Sequence, residues 1–318
     1  MSLIISNSDP VLDPVYARAE VERHFAQQLT IGRAMADYGA QLLKRAFVSC
    51  GRDKIEDLIV IAVLFRQALV AFDGCMLCIA GGAVEACNVH ARTLLEVHLY
   101  IEWILREGKE RWGRQFYVAG LRQERAWAQR VISGTADHTA FTAAWQATFE
   151  RTWQVDANSV AGATATVNEV GRILALPKFA AIDRSFDAAR GKRQFDQEWY
   201  KVGTGSPTSI RDMAEKLGKT AYYLVLYKSL SAHVHGTAGR SGLRPDGDGL
   251  ITIEPVRAIA AIGAIYTTAV SIWLWTCRQI MAAYRPDELH GFAVTYSQEW
   301  QPHLTFPEIQ EEVIPVRV

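Results

Sequence analysis

The chain has 318 residues, of which 49% are hydrophobic and 21% are charged, as is typical of a soluble globular protein. Its 34 basic residues balance its 34 acidic residues, so the overall charge gives no argument for binding nucleic acid or a membrane surface. An odd number of cysteines, five, and an N-terminus without a basic segment or a continuous apolar core predict a cytoplasmic protein without a disulfide framework.

Four long helices are predicted in the first half of the chain. Apolar residues recur there every three or four positions, which indicates helices with one buried face. The predicted spans are 15–47, 55–80, 83–106 and 109–132. Glycines follow each of the first three spans, at Gly51, at the pair Gly81 and Gly82, and at Gly108, where they favour a helix end.

The second half is less regular. Residues 133–195 predict shorter helices that decorate or cap a bundle. Ser209 and Asp212 resemble a capping box, so we predict that a helix starts there and runs to His235. A short extended piece at 250–254 and a last core helix at 256–284 complete the pattern.

Long helical periods dominate and strand signals are few, so the sequence predicts an all-α bundle. It shows no internal repeats, low-complexity tracts or linker. We therefore predict a single domain over residues 1–318, with a core at about 15–284 and irregular tails at 1–14 and 285–318.

One polar stripe lies on the helix predicted to end at Gly236. Tyr227, Ser231 and His235 follow one another at intervals of four, and Lys228 lies one step around the same side. A histidine with a hydroxyl one turn below and a cation two turns below predicts an acid–base site. The alternative is a C-terminal histidine that contacts the last carbonyls of its helix. His233 points to a different face.

A second polar stripe lies on the predicted 83–106 helix, which is otherwise apolar. Its members are Glu85, Asn88, Arg92 and Glu96. Arg92 and Glu96 are one turn apart and can pair, either to fix the helix register or to offer a cation to an anionic ligand. If the two stripes face each other, Arg92 and Glu96 meet Ser231 and His235 in one pocket.

Three further patterns have simpler explanations. Residues 258–277 are uncharged for 20 residues and could span a bilayer, but a helix buried on all sides gives the same pattern. Cys75, Cys78, Cys87 and His90 have zinc-like spacing, but buried free cysteines explain it better. The basic and aromatic residues of 106–130 could form an RNA-facing helix, although an amphipathic helix with buried aromatics is favoured.

The segments EWYKVGTGSPTSIRDMAEKLG and YKSLSAHVHG, with the earlier ARTLLE helix, resemble an uncharacterised bacterial family, domain-of-unknown-function family 5677. The resemblance extends over about residues 55–240. More distantly, the pattern is similar to HEPN domains. These are small helical bundles, and many of them are dimeric, metal-independent ribonucleases of toxin or phage-defence systems with an Arg-x4–6-His motif.

The resemblance places the family histidine at His235, or at His233. Lys228 stands where HEPN ribonucleases have arginine, five residues before His233 and seven before His235. Lysine lacks the planar fork of arginine and is not an equivalent phosphate clamp. Many HEPN-like proteins are also non-catalytic binding modules, so the fold is implied more firmly than the activity.

The sequence and the resemblance together predict an RNA-directed protein, either a metal-independent ribonuclease or a non-catalytic module that binds a nucleotide, RNA or a protein. In the ribonuclease, His235 would move the ribose 2′-hydroxyl or leaving-group proton. Lys228 or Arg92 would stabilise the phosphorane, and Ser231 or Tyr227 would orient the phosphate. We expect a homodimer, no membrane span, and no cofactor or metal ion.

Overall fold

The computed structural model of the protein describes residues 12–48, 56–191, 195–234, 243–245, 251–253, 256–257 and 259–307. These residues are mainly helical, with turns and irregular connections between the helices and one short antiparallel pair of strands. The all-α prediction is therefore confirmed at the level of fold class. The chain divides into two compact units, Met1–Arg106 with Ile210–Val318, and Glu107–Ser209. The expectation of a single domain stays a prediction.

The first unit holds both ends of the chain. Its longer helices are α1 (Pro14–Phe47), α2 (Ala62–Ala80, preceded by a π-helical turn Glu56–Ile61), α3 (Val84–Glu107, whose last residue belongs to the second unit) and α11 (Ile262–Tyr284). Its shorter elements are α8 (Ile210–Lys216), α9 (Thr220–Tyr222), a π-helix at Tyr223–Tyr227, α10 (Lys228–Val234), β1 (Leu243–Pro245), β2 (Ile251–Ile253) and α12 (Leu289–Thr295).

An aromatic stack forms the core of this unit where α1, α2 and α11 meet. The buried Trp273 ring of α11 lies parallel to Phe65 and Phe72 of α2, with centroid distances of 5.4 and 5.1 Å. Its indole N–H donates to the Met35 carbonyl of α1 at 3.1 Å. Gly39 of α1 lies directly against the same ring, because a residue without Cβ lets the backbone approach closely.

The second unit consists of α4 (Lys109–Gln129), α5 (Ala136–Phe149), α6 (Ala157–Leu174) and α7 (Pro177–Arg190), with a 3-10 turn at Trp199–Lys201. Its shorter helices agree with the pattern predicted for residues 133–195. Arg122 of α4 is 2% exposed and pairs with three carboxylates, those of Asp183, Asp187 and Asp196. The charge of this buried guanidinium is thus compensated from α7 and from the segment that follows it.

Two predicted spans are wrong. The helix expected from Ser209 to His235 is interrupted: α8 ends at Lys216, and Gly218 adopts a φ of +72°, which favours glycine at a helix C-terminus. The tail expected to be irregular is helical in large part. α12 continues into π and 3-10 turns that reach His303, and Trp300 is buried against Tyr38 of α1.

Candidate functional site

Tyr227 connects the two polar stripes. Its hydroxyl accepts a hydrogen bond from Arg92 Nη2 at 3.0 Å and donates one to Glu96 Oε1 at 2.8 Å. Arg92 and Glu96 also pair directly, at 3.0 Å between Nη2 and Oε1. Tyr227, in the π-helical turn before α10, therefore meets Arg92 and Glu96 of α3. The predicted meeting of Arg92 and Glu96 with Ser231 and His235 in one pocket stays a prediction.

The charge of Arg92 is compensated within this trio. Burial opposes ionisation of its guanidinium, but the hydrogen bond to Tyr227 and the charge of Glu96 outweigh burial, so the pKa of Arg92 is raised. Burial also raises the pKa of Tyr227, although the hydrogen bond from Arg92 opposes this. The guanidinium carbon also lies 5.2 Å from the centre of the Tyr227 ring, a cation–π distance. Arg92 thus joins α3 to Tyr227, and its charge is already paired within the protein.

A π-helix positions Tyr227. The turn Tyr223–Tyr227 has one residue more than an α-helical turn, and the Lys228 N–H donates to the Tyr223 carbonyl, five residues earlier. The Tyr223 ring stacks on the Tyr227 ring at 4.9 Å. Such turns occur often at functional sites, and they change the direction of the side chains that follow. No signal in the sequence revealed this one.

A cavity of about 360 Å³ lies between α3, the π-turn with α10, and α11. Its polar lining is Glu85, Asn88, Ser229, His233 and Thr268. Its apolar walls include Val84, Leu226, Leu230 and Ile265. The volume and this mixture of walls fit a small organic group with a few hydrogen-bonding edges.

The predicted site residues divide into four groups. Asn88 lines the cavity. Arg92, Glu96 and Tyr227 form the trio and are not among the lining residues. Ser231 is half-buried and Lys228 is exposed. His235 lies outside the described residues.

Ser229 and Thr268 were not predicted as site residues, and His233 was assigned to a face other than that of His235. Leu226, Ser229, Leu230 and His233 share the helical spacing of one face, next to the predicted polar stripe. This spacing was the available signal for Ser229 and His233.

A family model described as "Family of unknown function (DUF5677)" matches residues 58–243. The chain belongs to this family. The match covers more than half of the chain and includes both polar stripes, so the family part of the resemblance is confirmed. Comparisons with curated proteins and with solved structures gave no match.

Two residues beyond Glu96, at His98, a second polar group of this DUF5677 chain begins, and it lies deeper in the first unit. His98 Nε2 is 3.3 Å from Glu102 Oε2, and Lys219 Nζ is 3.5 Å from the same oxygen. His98 Nδ1 lies 3.1 Å from the Thr276 hydroxyl of α11, which donates to the Ile272 carbonyl. Sequence analysis missed this group, although the four-residue spacing of His98 and Glu102 was a signal for it.

The cysteines of the zinc-like pattern contact each other's backbone. Cys75 and Cys87 are buried, and each thiol donates to the carbonyl of the other, at 3.9 and 3.7 Å. The hydrogen bond with Cys87 and burial raise the pKa of Cys75, which opposes the thiolate form that zinc requires. In the part of the chain that the structure describes, no three His, Cys, Asp or Glu side chains are grouped as metal ligands.

The basic and aromatic segment at 106–130 is mainly an amphipathic helix, as favoured from the sequence. Trp112 is buried, and Phe116 and Tyr117 are half-buried. Trp127 differs, because 56% of it is exposed, with the Arg130 guanidinium 4.1 Å from its ring centre.

Within the described residues, one helix is long and apolar enough to cross a bilayer, Ile59–Ala80. Half of its most apolar window is buried inside the protein, and a buried core helix meets the same criterion. The segment considered from the sequence, 258–277, does not supply this helix. Most of it belongs to α11, where Tyr266 and Trp273 are fully buried.

Proposed function

We propose that the protein is RNA-directed and that the cavity between α3, α10 and α11 receives one nucleotide of single-stranded RNA. One observation supports this most. Two polar stripes, 131 residues apart in the chain, are joined through Tyr227 and Glu96, and the helices that carry them also line a cavity with Asn88, Ser229 and His233. Helices that only pack against each other do not need such a set of hydrogen-bonding groups around an open space.

The lining suits a base or a ribose better than a phosphate. Asn88, Ser229 and His233 offer donors and acceptors to the edge of a base or to ribose hydroxyls. Glu85 is the charged group of the lining and would repel a phosphate inside the cavity. Lys228 is exposed on α10 and could meet the backbone phosphate outside.

The leading activity within this proposal is metal-independent RNA cleavage by a HEPN-like bundle. His235, as the resemblance implies, or His233 would take the 2′-hydroxyl proton or protonate the leaving oxygen. Lys228 would stabilise the charge on phosphorus, and Ser231 would orient the phosphate. Arg92 and Glu96 would act as positioning residues through Tyr227. A cytoplasmic location and a toxin or phage-defence role go with this proposal.

The second candidate is a non-catalytic module that binds a nucleotide, RNA or a protein through the same cavity. The compensated charge of Arg92 favours this candidate. Arg92 could have replaced the arginine of the HEPN motif, where this chain has Lys228, but it is already paired with Glu96 and hydrogen-bonded to Tyr227. Lys228 alone is a point charge without a bidentate fork. Binding needs only the lining of the cavity, whereas cleavage needs a phosphate clamp in addition.

Incubation of the purified protein with labelled single-stranded RNA and tRNA, with EDTA present, tests the proposal. We expect the wild type to cleave, and His235→Ala or His233→Ala to lower the rate about 100-fold or more while the variant stays folded. His290→Ala is the matched control, because His290 is an exposed histidine on α12 and its loss should leave cleavage unchanged.

Binding measured on the same RNA separates the remaining outcomes. Binding without cleavage, weakened by Asn88→Ala, would support the second candidate. If the protein neither cleaves nor binds, and Tyr227→Phe only lowers its melting temperature, the polar stripes serve packing alone and the proposal is wrong.

A further inference from the structure

The exposed side of α2 and its preceding turn carries a regular apolar stripe. Three of its residues are spaced seven apart on α2, and the fourth lies four residues before them, so all four share one face. The members of this α2 stripe, with their exposed fractions, are Ile59 (40%), Val63 (50%), Val70 (55%) and Leu77 (67%).

The opposite face of α2 is already used. Phe65 and Phe72 are buried against Trp273 of α11. Single exposed apolar residues are ordinary on protein surfaces, but three spaced seven residues apart, with a fourth on the same face, are typical of a helix that pairs with another.

We propose that the α2 stripe pairs with the α2 stripe of a second copy of this chain, antiparallel, about a two-fold axis near Val70. In that arrangement Val70 meets its own counterpart, and Val63 lies near Leu77 of the other copy. A two-fold axis makes the contact self-complementary and closed, so the product is a dimer and not a filament.

Two charged residues on this side determine whether the two α2 helices pair parallel or antiparallel. Arg66 and Asp73 are exposed, and among the described residues neither has an ion-pair partner within 4.0 Å. They are seven residues apart, too far to pair along their own helix. A parallel pair would bring Arg66 near Arg66 and Asp73 near Asp73, whereas an antiparallel pair brings each Arg66 near an Asp73 of the other copy, twice.

The same charges argue against a lipid-facing role for Ile59–Ala80. Arg66 and Asp73 lie on the exposed side in the middle part of that helix, where a bilayer would surround them with hydrocarbon at a cost of about 3 kcal/mol for each residue. At an interface between two proteins, opposite charges on the same helix face as an apolar stripe favour specific pairing instead. The inference does not rest on the proposed RNA site.

Sedimentation equilibrium of the purified chain over nanomolar to high micromolar concentrations tests the proposal. We expect a reversible monomer–dimer equilibrium in the wild type. Val70→Asp, which places two carboxylates at the axis, should yield a monomer throughout this range with unchanged helicity. Val15→Asp on α1 is the matched control, because Val15 is 79% exposed outside the stripe and should leave the dimer intact.

Charge reversal tests whether the two α2 helices pair antiparallel. Arg66→Asp alone and Asp73→Arg alone should each weaken the dimer about tenfold, since two attractive pairs become repulsive. The double variant, Arg66→Asp with Asp73→Arg, should restore wild-type affinity. A parallel pair would show no such loss and recovery.

Three results would overturn the inference. One is a wild type that is monomeric at all concentrations. Another is a dimer that Val70→Asp leaves unchanged. The last is flotation of the wild type with phosphatidylcholine vesicles that Val70→Asp abolishes, which would show that the stripe faces lipid.

Discussion

Glu102 lies between a histidine and a lysine in the interior of the first unit. Its carboxylate is 9% exposed, and both His98 and Lys219 approach its Oε2. Burial tends to raise the pKa of Glu102, but the hydrogen bond and charge of His98, together with Lys219, outweigh burial and lower that pKa below its usual value. The unfolded chain therefore takes up this proton before the folded chain does.

The sign of the pH effect follows from linkage. A carboxyl group whose pKa is lowered by folding contributes stability above its unfolded pKa, about 4.3, and loses it as the pH falls through the lower folded value. We predict that the free energy of unfolding decreases across this acidic window, and that Glu102→Gln removes part of the decrease. Urea unfolding from about pH 6 to about pH 3 measures it.

Glu22→Gln provides the control for this experiment. Glu22 is exposed on α1, so the variant should retain the pH dependence of the wild type. If the wild type and Glu102→Gln lose stability in parallel through the window, the pair with His98 does not stabilise the folded state.

For the candidate site, the spacing of polar residues in the sequence indicated which side chains lie outside the apolar faces of their helices. Glu85, Asn88, Arg92 and Glu96 were assigned to one stripe; the structure places Glu85 and Asn88 in the lining of the cavity and pairs Arg92 with Glu96 further along the helix. Periodicity reports the face of a helix but not which faces meet. The contact between Tyr227 and Arg92 spans 135 residues, and no local pattern contains that information.

At the scale of elements, α1 was predictable almost to the residue, because its amphipathic period is continuous and Asp13 caps its start at Val15 and Tyr16. The helix after Ser209 was not. The helix α8 ends at Lys216, just before Gly218, whereas α1 continues through its own glycines, Gly32 and Gly39. The difference lies in long-range packing: Met76 and Trp273 occupy the space beside the two glycines of α1.

Gly39→Ala tests this explanation. Alanine normally stabilises the interior of a helix by about 1 kcal/mol relative to glycine, but a Cβ at Gly39 would overlap the Trp273 ring. We predict that the overlap reverses the sign and destabilises the protein by about 1–3 kcal/mol, as measured by urea unfolding.

The comparison variant is Gly162→Ala on α6, where a Cβ would meet nothing within 4 Å. This variant should be neutral or more stable than the wild type. Equal effects of the two substitutions would mean that the Trp273 ring moves aside, and that close packing does not explain the glycine in α1.

At the scale of the whole molecule, the two units have separate means of stabilisation. The first unit has the aromatic stack around Trp273. In the second, Arg122 is buried among three aspartates, and burial of its guanidinium is outweighed by the hydrogen bonds that it donates to Asp196, Asp187 and Asp183, so its pKa is raised. The same hydrogen bond lowers the pKa of Asp187. Removing this arginine leaves the three carboxylates with the longer and more exposed ion pairs to Arg125 and Arg190, which compensate less of their charge.

We predict that Arg122→Ala destabilises the second unit by about 3 kcal/mol, since breaking a buried ion pair from one side leaves uncompensated charge. Hydrogen exchange should show lost protection in α4, α6 and α7, while α1, α2 and α11 stay protected. Arg172→Ala is the control in the same unit: its pair with Glu169 is exposed and should contribute under about 1 kcal/mol. Equal loss of protection in both units would show that the chain unfolds cooperatively, as the single domain predicted from its sequence would.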